Sequence, residues 1–453
     1  MFSGTLNSEG HLEFGGADVT LLAESFGTPL YVLDEEAIRR NCRSYVQTFQ
    51  KQYPNSETVY AGKAFLSKAI CRILEQEGLG LDVVSGGELY TALQAGFPAS
   101  RVVFHGNNKS ADELSLALEN RVGRIVVDNF YELSLLGSLA SRKGVQPVIH
   151  LRLTPGVKPS THTYVQTGQV DSKFGFGVAD PHLIPSIRGI LAEGRLNLVG
   201  VHCHIGSQIF QQESYNVTIR IMMEFLKKLH DQGIILAELN LGGGLGIAYT
   251  SDESPPAIAE HVSLLVQGVR REAERLRIPL PRLLDEPGRS IVGPSGIALY
   301  RVGGSKEISG KRKYIFVDGS MADNPRVALY GARYEAVLAN RAQDPPEETV
   351  TVAGKCCESG DILIWDASLP VARPGDLLAV FCTGAYHYAM ASNYNRLPRP
   401  AVVLVNKGQP ELIIRRETYE DLVRNDLIPE RLNHGSLPPE GAFPLFLPLD
   451  GGG

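Results

Sequence analysis

The chain has no apolar run near the roughly 18 residues that a membrane-spanning helix requires, so no membrane partner is expected. It also lacks a strong charge of either sign: 44 Lys and Arg against 50 Asp and Glu leave a net −6. That balance gives no electrostatic reason to expect nucleic acid or an anionic membrane surface. The six cysteines include no CxxC pair and are too sparse for a disulfide framework. They read as reduced thiols of a cytoplasmic protein. The opening MFSGTLNSEG has neither the basic start nor the apolar centre of a secretion signal. Internal repeats are missing, and only a polar, Pro-rich loop near 341–348 and a glycine tail at 451–453 depart from ordinary globular composition.

What is present is length and apolar content. With 453 residues, 43% of them hydrophobic, the chain can bury more than one substantial core. From residue 58 to 289, eight β-rich runs alternate with amphipathic stretches. The runs are TVYAG (58–62), LDVV (81–84), RVVFHG (101–106), RIVVD (124–128), PVIHLRL (147–153), LVGVHCHI (198–205), ELNLGGG (238–244) and RLLDEPGR (282–289). Helices are expected over 67–77, 87–95, 110–120, 130–143, 214–232 and 256–276. Eight β/α units over this length predict a (β/α)8 barrel rather than an open doubly wound sheet. Before it, Asp34 is placed to cap a helix over 35–50. After residue 290 the pattern turns to strand-like runs punctuated by turn residues, with helices expected only at 326–340 and 418–425. A mostly β second part is predicted.

Barrel active sites form at the C-terminal strand ends, where the unusual residues of this chain collect. Lys63 follows the first strand and is either a solvated charge or an amine held for an aldehyde or a phosphate. His202 and His204 lie on one face of the sixth strand. They could hold a metal, but no third ligand with matching spacing is evident, so packing or hydrogen bonding is favoured and no metal is expected. Gly242, Gly243, Gly244 and Gly246 follow the seventh strand, either as a tight turn or as an anion cradle. Asp285-Glu286-Pro287-Gly288-Arg289 closes the eighth. Together these supply a phosphate cradle, an amine for an aldehyde and a carboxylate for a ring nitrogen, which are the needs of pyridoxal 5'-phosphate.

Ten ordered blocks then carry a resemblance. They are YAGKA (60–64), DVVSGGEL (82–89), SKFGF (172–176), HIGSQI (204–209), GGGLGI (242–247), EPGRSIV (286–292), VDGSMADNPRVALY (317–330), CESGD (357–361), GAYHYAMASNYNRLPRPAVVLV (384–405) and RRETYEDL (415–422). The chain resembles the fold-type III pyridoxal phosphate-dependent decarboxylases, built on an alanine racemase-like barrel. The resemblance is closest to the branch that converts meso-2,6-diaminopimelate to L-lysine and CO2, the last step of lysine biosynthesis. It implies a cofactor-binding barrel over 36–285, with 1–35 and 286–453 forming a β domain of Greek-key barrel or sandwich type that contributes substrate and dimer-interface residues. Lys63 resembles the lysine that binds the cofactor aldehyde covalently, and Asp82 a carboxylate beside it. His204 matches the imidazole stacked on the ring, and Glu286 the partner of the ring nitrogen. Ser207, Gly243, Gly244, Pro287, Gly288 and Arg289 match the phosphate side of the site, reached by Tyr386 from the second part. Arg289, Arg326, Tyr330, Glu358 and Tyr386 match the substrate-binding group, the arginines suiting a distal carboxylate. Cys357 matches the acid that reprotonates the substrate carbon, given in the family by the other subunit, so a homodimer with shared sites is implied.

Phe65, Ser320, Ala322 and Val327 depart from the residues common in the family, which bears on loop shape more than on chemistry. The competing activities are another basic amino-acid or carboxynorspermidine decarboxylase, a racemase, or a cofactor-binding regulator without catalysis. A racemase needs a second acid/base for which no motif is found. A regulator of this kind is expected to lack Lys63 or Cys357, and both are present.

Overall fold

The computed structural model describes residues 4–157 and 171–432; the glycine tail lies outside them. The predicted barrel is present. Its eight parallel strands are Ser56–Ala61, Gly80–Val83, Val102–Phe104, Arg124–Val127, Val148–Thr154, Asn197–His202, Glu238–Asn240 and Arg282–Asp285. Each pairs with the next, and the eighth closes on the first through Leu283↔Ser56 and Asp285↔Thr58. Asp34 caps the helix Glu35–Gln52 by accepting from the Ala37 N–H, with Glu35 and Glu36 in the first turn where the helix dipole favours them.

Alternation along the strands sorts side chains between the barrel interior and the helices. Val59, Val103, Val126 and Leu284 form a separate buried apolar cluster inside the barrel. Two residues further along the same strands come Ala61, His105 and Glu286, so the apolar layer floors the polar one above it. The N-terminal end carries a different cluster. Glu238 accepts from Arg124 through Nε at 2.6 Å and Nη2 at 2.8 Å, and lies 2.7 Å from His150 Nε2. Burial by itself would raise the Glu238 carboxyl, but the Arg124 and His150 bonds hold it well below the usual range. Its contribution to stability is therefore complete above the ordinary Glu range near pH 4.3 and is lost as pH falls through the depressed value. Glu238→Gln leaves Arg124 buried with weaker partners, and a loss of about 3–5 kcal/mol is expected. Urea unfolding at neutral pH and at pH about 3 checks both statements: the wild-type–variant gap should shrink in acid.

In the C-terminal part, the long strand Gly296–Ile308 pairs antiparallel with Arg312–Val317, Leu377–Val380 and Leu30–Asp34. Leu30–Asp34 also pairs, in parallel, with Ala401–Asn406. The segment preceding the barrel is thus hydrogen-bonded into the sheet that follows it.

Two expectations change. The helix expected over 326–340 is only Arg326–Tyr330, because Gly331 takes the left-handed φ of 60° that ends helices; Ala336–Leu338 then forms a strand against Leu377–Val380. A helix not expected from the sequence spans Leu183–Glu193. Among the described residues no helix is long and apolar enough to cross a membrane.

Candidate active site

A cavity of about 320 Å³ opens at the C-terminal ends of the barrel strands. It gathers Lys63 from the turn after the first strand, Asp82 from the second, and His202, His204 and Ser207 from the end of the sixth and its following loop. Gly243 and Gly244 line it after the seventh strand, and Glu286, Pro287, Gly288 and Arg289 after the eighth. Tyr386 enters from the C-terminal part, its backbone N–H donating to Ala64 O at 2.8 Å. Its ring lies under the Arg289 guanidinium at 4.6 Å. Arg289 also donates to Ser207 Oγ through Nε at 3.3 Å and Nη2 at 3.0 Å.

The glycine loop packs its backbone against its neighbours. A Cβ on Gly243 would stand 2.0 Å from Glu286 O, so no side chain is tolerated there. Gly244 takes φ +126°, a conformation that L side chains rarely adopt.

Glu286 is fully enclosed. Asn240 Nδ2 donates to its Oε1 at 2.6 Å, His105 Nε2 lies 2.8 Å from the same oxygen, and His202 Nε2 lies 3.1 Å from Oε2. Burial favours the neutral acid, but the charge and hydrogen bonds of the imidazoles hold this carboxyl well below its ordinary range. Burial pulls His202 down to about 3, whereas at His105 burial is outweighed by the Asp82 and Glu286 carboxylates, which raise the imidazole above its ordinary value. Asp82, raised by burial to about 6, and Glu88, raised by burial to about 7, flank Lys63. Burial, then the Lys63 charge, hold His204 neutral.

The remaining predicted residues stand apart from the cavity lining. Arg326 is buried, and its Nη1 donates to Tyr249 Oη and Tyr334 Oη, each at 2.8 Å. Tyr249 Oη also accepts from Arg289 Nη1, so Arg326 reaches the cavity wall through one shared hydroxyl. The Tyr330 ring lies 5.9 Å from the Arg326 guanidinium carbon. Cys357 and Glu358 are exposed and do not line the cavity within one chain. The Cys357 backbone N–H donates to Asn395 Oδ1 at 2.7 Å, and Gly360 N donates to Glu358 Oε1 at 3.2 Å. Of the departures, Phe65 is buried edge-on against Tyr388 at 6.0 Å, and Ser320 N and Oγ bond within their own turn to Asp323 and Ala322.

His105, Asn240 and Arg152 are functional candidates that sequence reasoning did not single out. Their signal was positional: His105 is next to last in the third strand run, and Asn240 stands two residues before the glycine loop. His202, weighed with His204 as a pair, instead groups with His105 and Glu286, whose ligand atoms lie within 4.8 Å of one another. The His–Glu distances of 2.8 and 3.1 Å are those of hydrogen bonds between the side chains themselves.

The donor set fits pyridoxal phosphate: an amine, a backbone cradle free of side chains beside an arginine and a serine, and a buried carboxylate. The pyridoxal-binding domain model of the pyridoxal-dependent decarboxylases matches residues 37–293. The chain is 52% identical over 422 residues to the diaminopimelate decarboxylase of Bacillus subtilis (strain 168), covering 93% of this chain and 96% of that one. The crystal structure of diaminopimelate decarboxylase from M. jannaschii in complex with L-lysine superposes with a TM-score of 0.89 at 36% identity, covering 95% of this chain and all of that one. The Helicobacter pylori enzyme, also complexed with L-lysine, gives 0.82 at 31% identity, covering 90% and 98%. Barrel, cavity chemistry and similarity along nearly the whole length agree: the chain belongs to the diaminopimelate decarboxylase family of the pyridoxal-dependent decarboxylases.

Proposed function

We propose that this chain removes one carboxyl group from meso-2,6-diaminopimelate, releasing CO2 and L-lysine, in the cytoplasm and as the last step of lysine biosynthesis. The observation that carries the reading is the single cavity that brings Lys63, the Gly243–Gly244 cradle, Glu286 and Arg289 together. Bound there, pyridoxal phosphate supplies the electron sink for the pair of electrons left at the substrate carbon when CO2 departs.

Lys63 would hold the cofactor aldehyde, with Asp82 beside it to take and return protons. The backbone of Gly243, Gly244 and Gly288, together with Ser207, Arg289 and Tyr386, would hold the phosphate. Pro287 lies between Glu286 and that cradle, and His204 would cover one ring face. Glu286 keeps its charge for the ring nitrogen. Arg289, Arg326 and Tyr330 would take the distal carboxylate, with Tyr386 at the same wall, and Glu358 of the partner subunit, exposed beside Cys357, would take the distal ammonium. Residues 36–285 are taken as the cofactor-binding barrel and the remainder as the source of substrate and interface groups.

Cys357 stands away from the cavity of its own chain, so we assign reprotonation of the substrate carbon to Cys357 of the partner subunit in a homodimer. Mixing inactive Lys63→Ala with inactive Cys357→Ala should then restore part of the activity once subunits exchange, as each heterodimer keeps one intact site. No recovery under demonstrated exchange would place Cys357 within its own chain's site. The activity itself is tested by following CO2 and lysine from meso-diaminopimelate, with ornithine and arginine in parallel. Faster turnover of either alternative would overturn the substrate assignment.

A further inference from the structure

One imidazole in the cavity stands between two carboxylates. His105 Nε2 is 2.8 Å from Glu286 Oε1 and 3.9 Å from Asp82 Oδ1, and all three side chains are buried. The neighbouring His202 ring meets it edge-on at 4.7 Å and places its Nε2 3.1 Å from Glu286 Oε2. A buried carboxylate pair with one charged imidazole between them is balanced in part; without that charge, two anions would face each other in a low-dielectric site.

We propose that His105 is a positioning residue that stores a proton between Asp82 and Glu286 before the cofactor docks, and gives it up when a protonated ring nitrogen takes its place beside Glu286. This rests on the cofactor reading above. The proton count closes: the ring nitrogen arrives already protonated, His105 releases one proton to solvent and becomes neutral, Glu286 stays a carboxylate, and the positive charge beside Glu286 is then the ring's. His105 thus keeps Glu286 ionised and aimed while the site is empty of cofactor.

The groups facing His105 agree with this direction. From the second strand Asp82, and from beyond the eighth Glu286, raise its proton affinity more than burial and Arg152 of the fifth strand reduce it. His202 of the sixth strand is neutral, and Glu88 lies further along the Asp82 side. Asn240 holds Glu286 from the other direction and ties it to the glycine loop, since Gly242 N donates to Asn240 Oδ1 at 2.9 Å. Introducing a cation next to Glu286 removes the attraction that holds the His105 proton.

Histidine-selective nitrogen NMR on the full chain, with and without pyridoxal phosphate, tests this directly. The His105 signals are assigned by their loss in His105→Gln, or in His105→Asn if the first variant does not fold. At neutral pH both ring nitrogens of His105 should be protonated in the cofactor-free protein and only one in the loaded protein. Calorimetry in buffers of different ionisation heat should show wild type releasing about one more proton per site than His105→Gln on binding pyridoxal phosphate. A neutral His105 in the cofactor-free protein, or an unchanged charge after loading, overturns the proposal. Failure of pyridoxal phosphate to bind at all would instead sink the cofactor reading, while the cofactor-free spectrum still decides the charge of His105.

Discussion

Lys63→Ala should leave no adduct that borohydride can fix and should remove essentially all turnover. Loss of a positioned acid/base alone costs about 100- to 10,000-fold, and the covalent link to the cofactor goes with it. The structure says why Lys109, another lysine buried at this end of the barrel, does not substitute. Lys63 sits in the short turn Gly62–Ala64 directly beyond the first strand, with its side chain lining the cavity. Lys109 is also buried in this end of the barrel, but its Nζ is already bound to Glu132 Oε1 at 2.8 Å, Gly106 O at 2.6 Å and Val126 O at 2.8 Å. Freeing it would leave Glu132 charged and unpaired in the interior, which is the costly outcome for a buried ion pair. Near-visible absorbance with added pyridoxal phosphate, followed by borohydride treatment and peptide mass mapping, checks the prediction. A fixed adduct on Lys109 or any other lysine would displace the first strand from its assigned role.

The barrel was legible in the sequence because its strands are bounded by polar or glycine-bearing ends and separated by helices of normal length. The helix Leu183–Glu193 was missed because Pro185 and Gly189 look like breakers. Pro185 falls in the first turn, where its missing N–H has no intrahelical partner to lose. In the C-terminal part the alternation is harder to read: within the strand Ile362–Leu369, Asp366 takes a φ of 52°, and sequence alternation does not survive such a break. The site divides along similar lines. Lys63, Glu286 and the glycine loop announce themselves, because a lysine, an acid and consecutive glycines at strand ends are unusual. His105 and Asn240 are ordinary residues in strand-like runs until the closed barrel brings them within 2.8 and 2.6 Å of Glu286, from strands far apart in sequence. Cys357 has the opposite character: its assignment comes from resemblance, and the single chain supplies it with solvent rather than a cavity.

Arg326→Leu should cut kcat/KM for diaminopimelate far more than for ornithine, which has no distal carboxylate. Removing a charge-assisted hydrogen bond in a closed site costs about 1.5–3 kcal/mol, or roughly ten- to two-hundred-fold in kcat/KM. The structure also gives Arg326 a bracing role, since its Nη1 holds Tyr249 and Tyr334 and its guanidinium carbon stacks 4.9 Å from the Tyr249 ring. Bracing predicts a different outcome. Tyr249 is shared with Arg289, which bonds Ser207 at the cofactor end, so a collapsed brace would weaken cofactor retention and slow every substrate together. Specificity predicts a narrowed ratio of diaminopimelate to ornithine with cofactor occupancy intact. Among the described residues Arg326 Nε is buried without a hydrogen-bond partner, while both tyrosine contacts use Nη1. A guanidinium held at one end by two hydroxyls keeps donors in reserve for an anion, and its planar fork suits a carboxylate. Tyr249→Phe supplies the control, because it cuts the Arg326–Arg289 link and leaves both positive charges in place. If that variant reproduces the whole loss seen in Arg326→Leu, equally on both substrates, Arg326 acts through the brace and the distal carboxylate must be held elsewhere.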